Sequence, residues 1–83
     1  MTFENLVERI SNERRQELSE RLLDALLEAE DAENVPSSLA KTFLNDAHHD
    51  RLASEAGLTN LLKAVEEADP NKVAVILGEF GIE

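Results

Sequence analysis

The sequence predicts an all-α fold, a small bundle of four to five helices built by a single domain over residues 1–83. Apolar residues recur at helical spacing along most of the chain. Candidate helix caps stand between these segments, and Asp69-Pro70 is the clearest of them. The core residues are Leu, Val, Ile and Ala with three Phe and no Trp or Tyr, a composition that suits helices.

The first helical segment is predicted from Thr2 to Ser11, with Thr2 as its N-cap. Its apolar residues lie at helical spacing: Phe3, Leu6, Val7 and Ile10. The next seven residues, SNERRQE, carry no apolar side chain, and Leu18 does not continue the same repeat. A break near Ser11–Asn12 is therefore predicted, and one long helix with a phase slip is the alternative.

The second helix, about Glu13 to Asp31, has the strongest amphipathic pattern, with acidic residues opposite the apolar ones. Its leucines cover an arc that approaches half the circumference, too wide for one antiparallel neighbour. The helix therefore either occupies the centre of a monomeric bundle or joins copies of the chain. Because an 83-residue core is marginal and no cysteine can form disulfides, we expect a homo-oligomer. The candidate oligomer interface is Leu18, Leu22, Leu23, Leu26 and Leu27.

Further helices are predicted downstream. The third runs from about Pro36 to His48, with Pro36 at the first helical position. The stretch DRLASEAG is expected to form a short turn closed by Gly57, after which Thr59 caps a fourth helix. The last helix starts at Asp69-Pro70.

In the last helix Val73, Ile76 and Leu77 are expected to face inward. VAVIL could instead be a strand, but the Asp-Pro start favours a helix. The final apolar residues, Phe80 and Ile82, are expected to fold back or to dock on another subunit.

The chain is strongly acidic, with 18 acidic and 8 basic residues and a net charge of −10. Such a surface repels nucleic acid over most of its area and does not bind an anionic membrane. No apolar run is long enough to span a bilayer and the N-terminus lacks a signal-peptide core, so a cytoplasmic protein is expected. Four arginines gather in the first quarter as the candidate DNA-binding cluster: Arg9, Arg14, Arg15 and Arg21. Local ion pairing is the alternative, because Glu17 precedes Arg21 by four positions.

The histidines do not predict a metal site. His48 and His49 are adjacent and point about 100° apart on a helix, so they cannot face one ion. Together with Asp50 they are interpreted as a polar helix end. Since the chain has no nucleophile motif and no phosphate-binding glycine loop, we expect no enzyme activity, cofactor or small-molecule substrate.

One layout resembles a known family. It consists of a helix with an acidic end, a short turn, PSSLAKTFLND, a polar gap and then GLTNLLKAVEEA. The layout is similar to that of the small terminase subunits of short-tailed bacteriophages. The resemblance covers about residues 18–68 and departs at the apolar ending DPNKVAVILGEFGIE. It implies a ring-forming, non-enzymatic protein that binds viral DNA in the host cytoplasm and regulates the large motor subunit. The matching positions are Leu39, Phe43, Leu44 and Asp46.

A second hypothesis is an acidic helical interaction module or inhibitor that engages a basic partner surface. A third is general adaptation to high salt, in which the charge serves no specific partner. The contact in the second hypothesis would be Glu20, Asp24, Glu28, Glu30, Asp31 and Glu33.

Overall fold

The described part of the chain folds into five α-helices, which confirms the predicted all-α class. The structure, a computed structural model, describes residues 2–81. The segment VAVIL lies in the fifth helix, and no strand forms within that range. The helices are α1 (Phe3–Glu8), α2 (Asn12–Asp31), α3 (Ser37–His48), α4 (Glu55–Ala68) and α5 (Pro70–Glu79).

Side-chain caps fix most of the helix starts. Thr2 caps α1 as predicted, by accepting a hydrogen bond from the backbone N–H of Asn5. Ser11 is extended and caps α2, so the predicted break is confirmed. Asp69 caps α5 in the same way, ahead of Pro70. Pro36 takes the N-cap position of α3 and provides no side-chain cap, so α3 begins one residue later than predicted.

The predicted start of α4 is wrong. Gly57 closes no turn, because it lies in the first turn of α4, and its N–H donates to the Oγ of Ser54 at 3.1 Å. A Cβ at position 57 would overlap the carbonyl oxygen of Arg51. Only glycine therefore lets the preceding segment approach the helix. Thr59 is no cap either, since it lies inside α4 and is buried.

Helix α4 lies at the centre of the bundle, packed against α1, α2 and α5, and α3 packs chiefly against α2. Apolar side chains from all five helices and from the connections form one core. In α5, Val73 and Ile76 are buried and Leu77 is half-buried, as the spacing predicts. The fully buried large side chains come mainly from α2 and α4: Leu18, Leu22, Leu26, Leu58, Leu61, Leu62 and Val65.

The leucine arc of α2 is largely covered by the protomer's own helices. Leu18, Leu22 and Leu26 are fully buried, so they present no surface to another copy. Leu23 and Leu27 are half-buried. The homo-oligomer therefore stays a prediction, and these two leucines are the part of the predicted interface that a second copy could reach.

An acidic residue with left-handed backbone follows α2, and another follows α3. Glu33 follows α2 with φ of 64°, and Asp50 follows α3 with φ of 57°. After α3, the N–H of Asp50 donates to the carbonyl of Ala47, and the N–H of Arg51 donates to that of Asp46. This is the Schellman pattern, in which glycine is the usual residue because a side chain costs about 1–2 kcal/mol there.

Candidate interaction surface

The four arginines do not form one patch, because the fold gives them separate environments. Arg15 is the most enclosed, with its side chain 13% exposed. Its guanidinium donates to the carbonyl of Val7 at 3.1 Å and to the Oδ1 of Asn12 at 3.2 Å. It also pairs with Glu55 at 3.4 Å. Arg15 thus joins α1, α2 and α4 and has little capacity left for a phosphate.

Arg14 and Arg21 attach α5 to α2. The Arg14 guanidinium lies 5.1 Å from the ring centroid of Phe80 and also donates to the Phe80 carbonyl. Arg21 pairs with Glu79 at 3.4 Å, and not with Glu17 as local spacing suggested. Lys72 adds a third link, at 3.2 Å from Glu28. Each link stabilises by about 1 kcal/mol or less, because its groups are partly exposed to water.

Phe80 folds back onto the protein, which is one of the two predicted outcomes. Its half-buried ring packs against the core. Ile82 lies outside the described residues. Phe80 also lines a shallow groove with Arg9 and Arg14, so these two arginines are the members of the cluster that the fold brings together.

One side of α2 is acidic. Five exposed carboxylates project within an arc of about 60° along about 27 Å of helix. None of them pairs with a basic side chain of residues 2–81. We call this surface the acidic stripe; its members are Glu13, Glu17, Glu20, Asp24 and Asp31.

The stripe differs from the run that the sequence suggested. Glu28 is paired with Lys72, Glu30 is half-buried, and Glu33 lies beyond the end of the helix. Glu13 and Glu17 join instead. A count of spacings at three, four and seven residues along α2 could have found them, whereas a run of adjacent acidic residues samples every side of a helix.

The histidines lie at the end of α3, as predicted. The His48 and His49 rings are perpendicular with centroids 5.4 Å apart, and the Nδ1 of His49 lies 2.9 Å from the carbonyl oxygen of Asn45. Across residues 2–81, no three His, Asp or Glu side chains are arranged to hold a metal ion.

The carboxyl of Glu4 has a shifted pKa. The pKa of Glu4 is lowered, chiefly by a hydrogen bond from its own backbone N–H and next by the hydrogen bond and charge of Lys63. The Glu4 Oε1 lies 3.1 Å from the Lys63 Nζ, and this pair joins the exposed sides of α1 and α4. It is a surface contact, because both side chains are 56% exposed.

Comparisons with protein-family models, with characterised proteins and with solved structures found no match to this chain. Within the described residues, no helix has the length and apolar character needed to cross a membrane.

Proposed function

We propose that this chain is a non-enzymatic binding protein whose acidic stripe contacts a basic surface of a partner protein. The observation that carries the proposal is that five exposed carboxylates share one side of α2, and none of them pairs with a basic side chain of residues 2–81. Like charges along one helix repel one another, which destabilises the isolated protein slightly. A basic partner surface removes that repulsion and gains complementary charge, which speeds association and selects the partner.

The exposure of the acidic groups supports a binding role over catalysis. Every carboxylate between residues 2 and 81 is exposed or half-buried. A catalytic acid or base works near neutral pH because burial or a neighbouring charge tunes its pKa. Carboxylates on open helix surfaces lack the enclosure that such tuning needs.

The proposal is tested with a fluorescently labelled oligolysine peptide and the intact protein, by fluorescence anisotropy at low salt. We expect the triple variant Glu17→Gln, Glu20→Gln, Asp24→Asn to bind roughly tenfold more weakly than the wild type, since each removed charge costs up to about 1 kcal/mol.

The matched control removes three exposed carboxylates from α1 and α4, namely Glu8→Gln, Glu66→Gln, Glu67→Gln. It changes the net charge equally, so we expect a loss of about twofold through the long-range field alone. Equal losses in both variants would contradict the proposal and favour the high-salt hypothesis, in which only total charge counts. Absence of binding by the wild type would also contradict it.

A second candidate is the DNA-packaging role that the terminase resemblance implies, with duplex DNA and a large motor subunit as partners. One observation favours it: Arg9 and Arg14 line the same groove. Duplex DNA titrated at three salt concentrations tests this candidate. Replacing Arg9 and Arg14 together by Ala should flatten the slope of log affinity against log salt by roughly two. No measurable wild-type affinity, or an unchanged slope, would exclude the groove as a DNA contact.

A further inference from the structure

We infer that a groove beside the acidic stripe accepts one long basic side chain, lysine or arginine, from the partner. The inference rests on the proposed function and adds the place where the partner is anchored. The groove lies between α2 and the segment from the end of α3 to the start of α4. We call it the basic-residue socket; its main lining residues are Ser19, Glu20, Leu23, Ala47, Asp50 and Leu52.

The floor of the socket is apolar. Leu52 is 3% exposed, and Leu23, Ala47 and Ala53 are half-buried around it. The cavity measures about 320 Å³. That is roughly ten times the volume of one water molecule in the liquid, so a side chain can enter. The aliphatic stem of a lysine or arginine gains contact with such a floor while its charged end stays near water.

The rim of the socket is negative. It carries the carboxylates of Glu20, which belongs to the acidic stripe, and Asp50, and no described lining residue is basic. Asp50 lies two residues beyond the last residue of α3, where the negative end of the helix dipole adds partial negative charge. The buried hydroxyl of Ser19 donates to the carbonyl of Gln16 at 2.8 Å, which leaves its lone pairs to accept a hydrogen bond.

The position of Asp50 makes a nearby cation favourable. Its carboxylate stands at the negative end of a helix, and its backbone has the left-handed conformation that glycine prefers. Both features cost free energy in the isolated protein. An ammonium or guanidinium group in the socket offsets the electrostatic part of that cost, because it lies near Asp50, Glu20 and the helix end together.

The chemistry favours a basic side chain over other occupants. A metal ion lacks a third ligand, since no three metal-binding side chains converge within residues 2–81. An anion is repelled by both carboxylates. A purely apolar side chain fits the floor but removes water from the charged rim without providing a partner.

The test compares two peptides of equal charge on the intact protein. One is the oligolysine peptide, and the other is an oligomer of 2,4-diaminobutyrate, whose side chain has the same ammonium on a shorter stem. We expect the wild type to prefer the long stem, because only that stem fills the apolar floor. Ala53→Leu, which fills the socket, should abolish this preference. The variant's thermal midpoint and helicity are measured alongside.

A charge variant provides the second measurement. Asp50→Asn keeps a residue that tolerates left-handed backbone and removes one carboxylate from the rim. It should weaken oligolysine binding by about three- to fivefold. Glu67→Gln on α4 makes the same change in net charge and should have less effect.

The outcomes separate this inference from the proposed function. One outcome is that the triple variant of the acidic stripe loses affinity, while stem length has no effect and Asp50→Asn weakens binding no more than Glu67→Gln does. The basic-residue socket is then wrong, and the proposed role of the acidic stripe is unaffected. If the wild type binds neither peptide, both are wrong. Preference for the long stem that disappears in Ala53→Leu, with folding unchanged, supports the socket.

Discussion

Helices α3 and α4 are similar in length and amphipathic character but differ in how much of each is buried. They have 12 and 14 residues, and both are amphipathic. Yet α4 buries five side chains among three neighbouring helices, whereas α3 buries two, Ala40 and Phe43, chiefly against α2. Their starts also differ, since Ser54 caps α4 and Pro36 gives α3 no side-chain cap.

The difference shows that the position of a helix in the bundle, and not its apolar pattern, determines how strongly packing stabilises it. Most helix stability in proteins comes from tertiary packing, and a helix with one neighbour can open while the others remain folded. The basic-residue socket lies at the end of α3, which is the less buried of the two helices. A partner bound there would stabilise α3 by binding its folded state.

The comparison is tested most strongly by shortening a leucine in each helix. Leu62→Ala in α4 should destabilise the protein by about 2–5 kcal/mol, because Leu62 is fully buried and a cavity remains. Leu39→Ala in α3 should cost roughly 1–2 kcal/mol, since Leu39 is half-buried. Urea denaturation followed by circular dichroism measures both. Equal losses would show that α3 is held as firmly as α4.

A second test concerns the start of α4. Gly57→Ala should destabilise by about 1–3 kcal/mol, because the new Cβ meets the Arg51 carbonyl and the segment before α4 must move. Gly78→Ala in α5 is the control, since the described atoms leave its surroundings open. There alanine should stabilise by about 0.5–1 kcal/mol through its better helix propensity. The thermal midpoints of the two variants should shift in opposite directions. A higher midpoint for Gly57→Ala would refute the close approach of the Arg51 carbonyl to Gly57.

The cap of α4 should have a smaller effect. Ser54→Ala should cost about 1 kcal/mol, since the Ser54 Oγ accepts from the N–H of Gly57. That hydroxyl also donates to the Arg51 carbonyl at 2.7 Å. Ser38→Ala in the first turn of α3 should change stability by less than about 0.5 kcal/mol, because Ser38 is exposed. If Ser54→Ala and Ser38→Ala lose the same stability in chemical denaturation, the starts of α3 and α4 do not differ in the way described.

The weakest expected effect involves the surface pair of α1 and α4. Since the pKa of Glu4 is lowered in the folded protein, its contribution to stability is present above the unfolded pKa and is lost as pH falls through the folded pKa. Lys63→Gln should raise the pKa of Glu4 only part of the way, because the hydrogen bond from its own backbone N–H remains. Carboxyl chemical shifts followed by NMR titration measure this change. Lys41→Gln on α3 is the control, and a Glu4 pKa that does not move in Lys63→Gln would contradict the pairing.

The sequence predicted the parts of the fold that local chemistry determines. The start of α5 was found because Asp69 and Pro70 act on backbone groups within three residues. The break before α2 was found because the apolar repeat is interrupted between Ile10 and Leu18. The start of α4 was missed because glycine usually marks a helix end. At position 57 glycine instead serves a contact with Arg51, which no residue pattern reveals.

The candidate site was harder to predict because its details depend on long-range contacts. Glu17 is a plausible partner for Arg21 by spacing, but the fold brings Glu79 to it from α5. The width of the leucine arc on α2 was visible in the sequence. Which neighbours cover it depends on the packing of α4 and α5, so intramolecular burial and self-association could not be separated beforehand.

Gly57 is also a position that related sequences should keep unchanged as they diverge. Asp and Glu can replace each other along the acidic stripe without altering its charge, so those positions are free to drift. Position 57 accepts no side chain while the Arg51 carbonyl stays in place. Serine three residues before a glycine, at the start of an amphipathic helix, is therefore a more durable mark of common descent than the acidity of the chain.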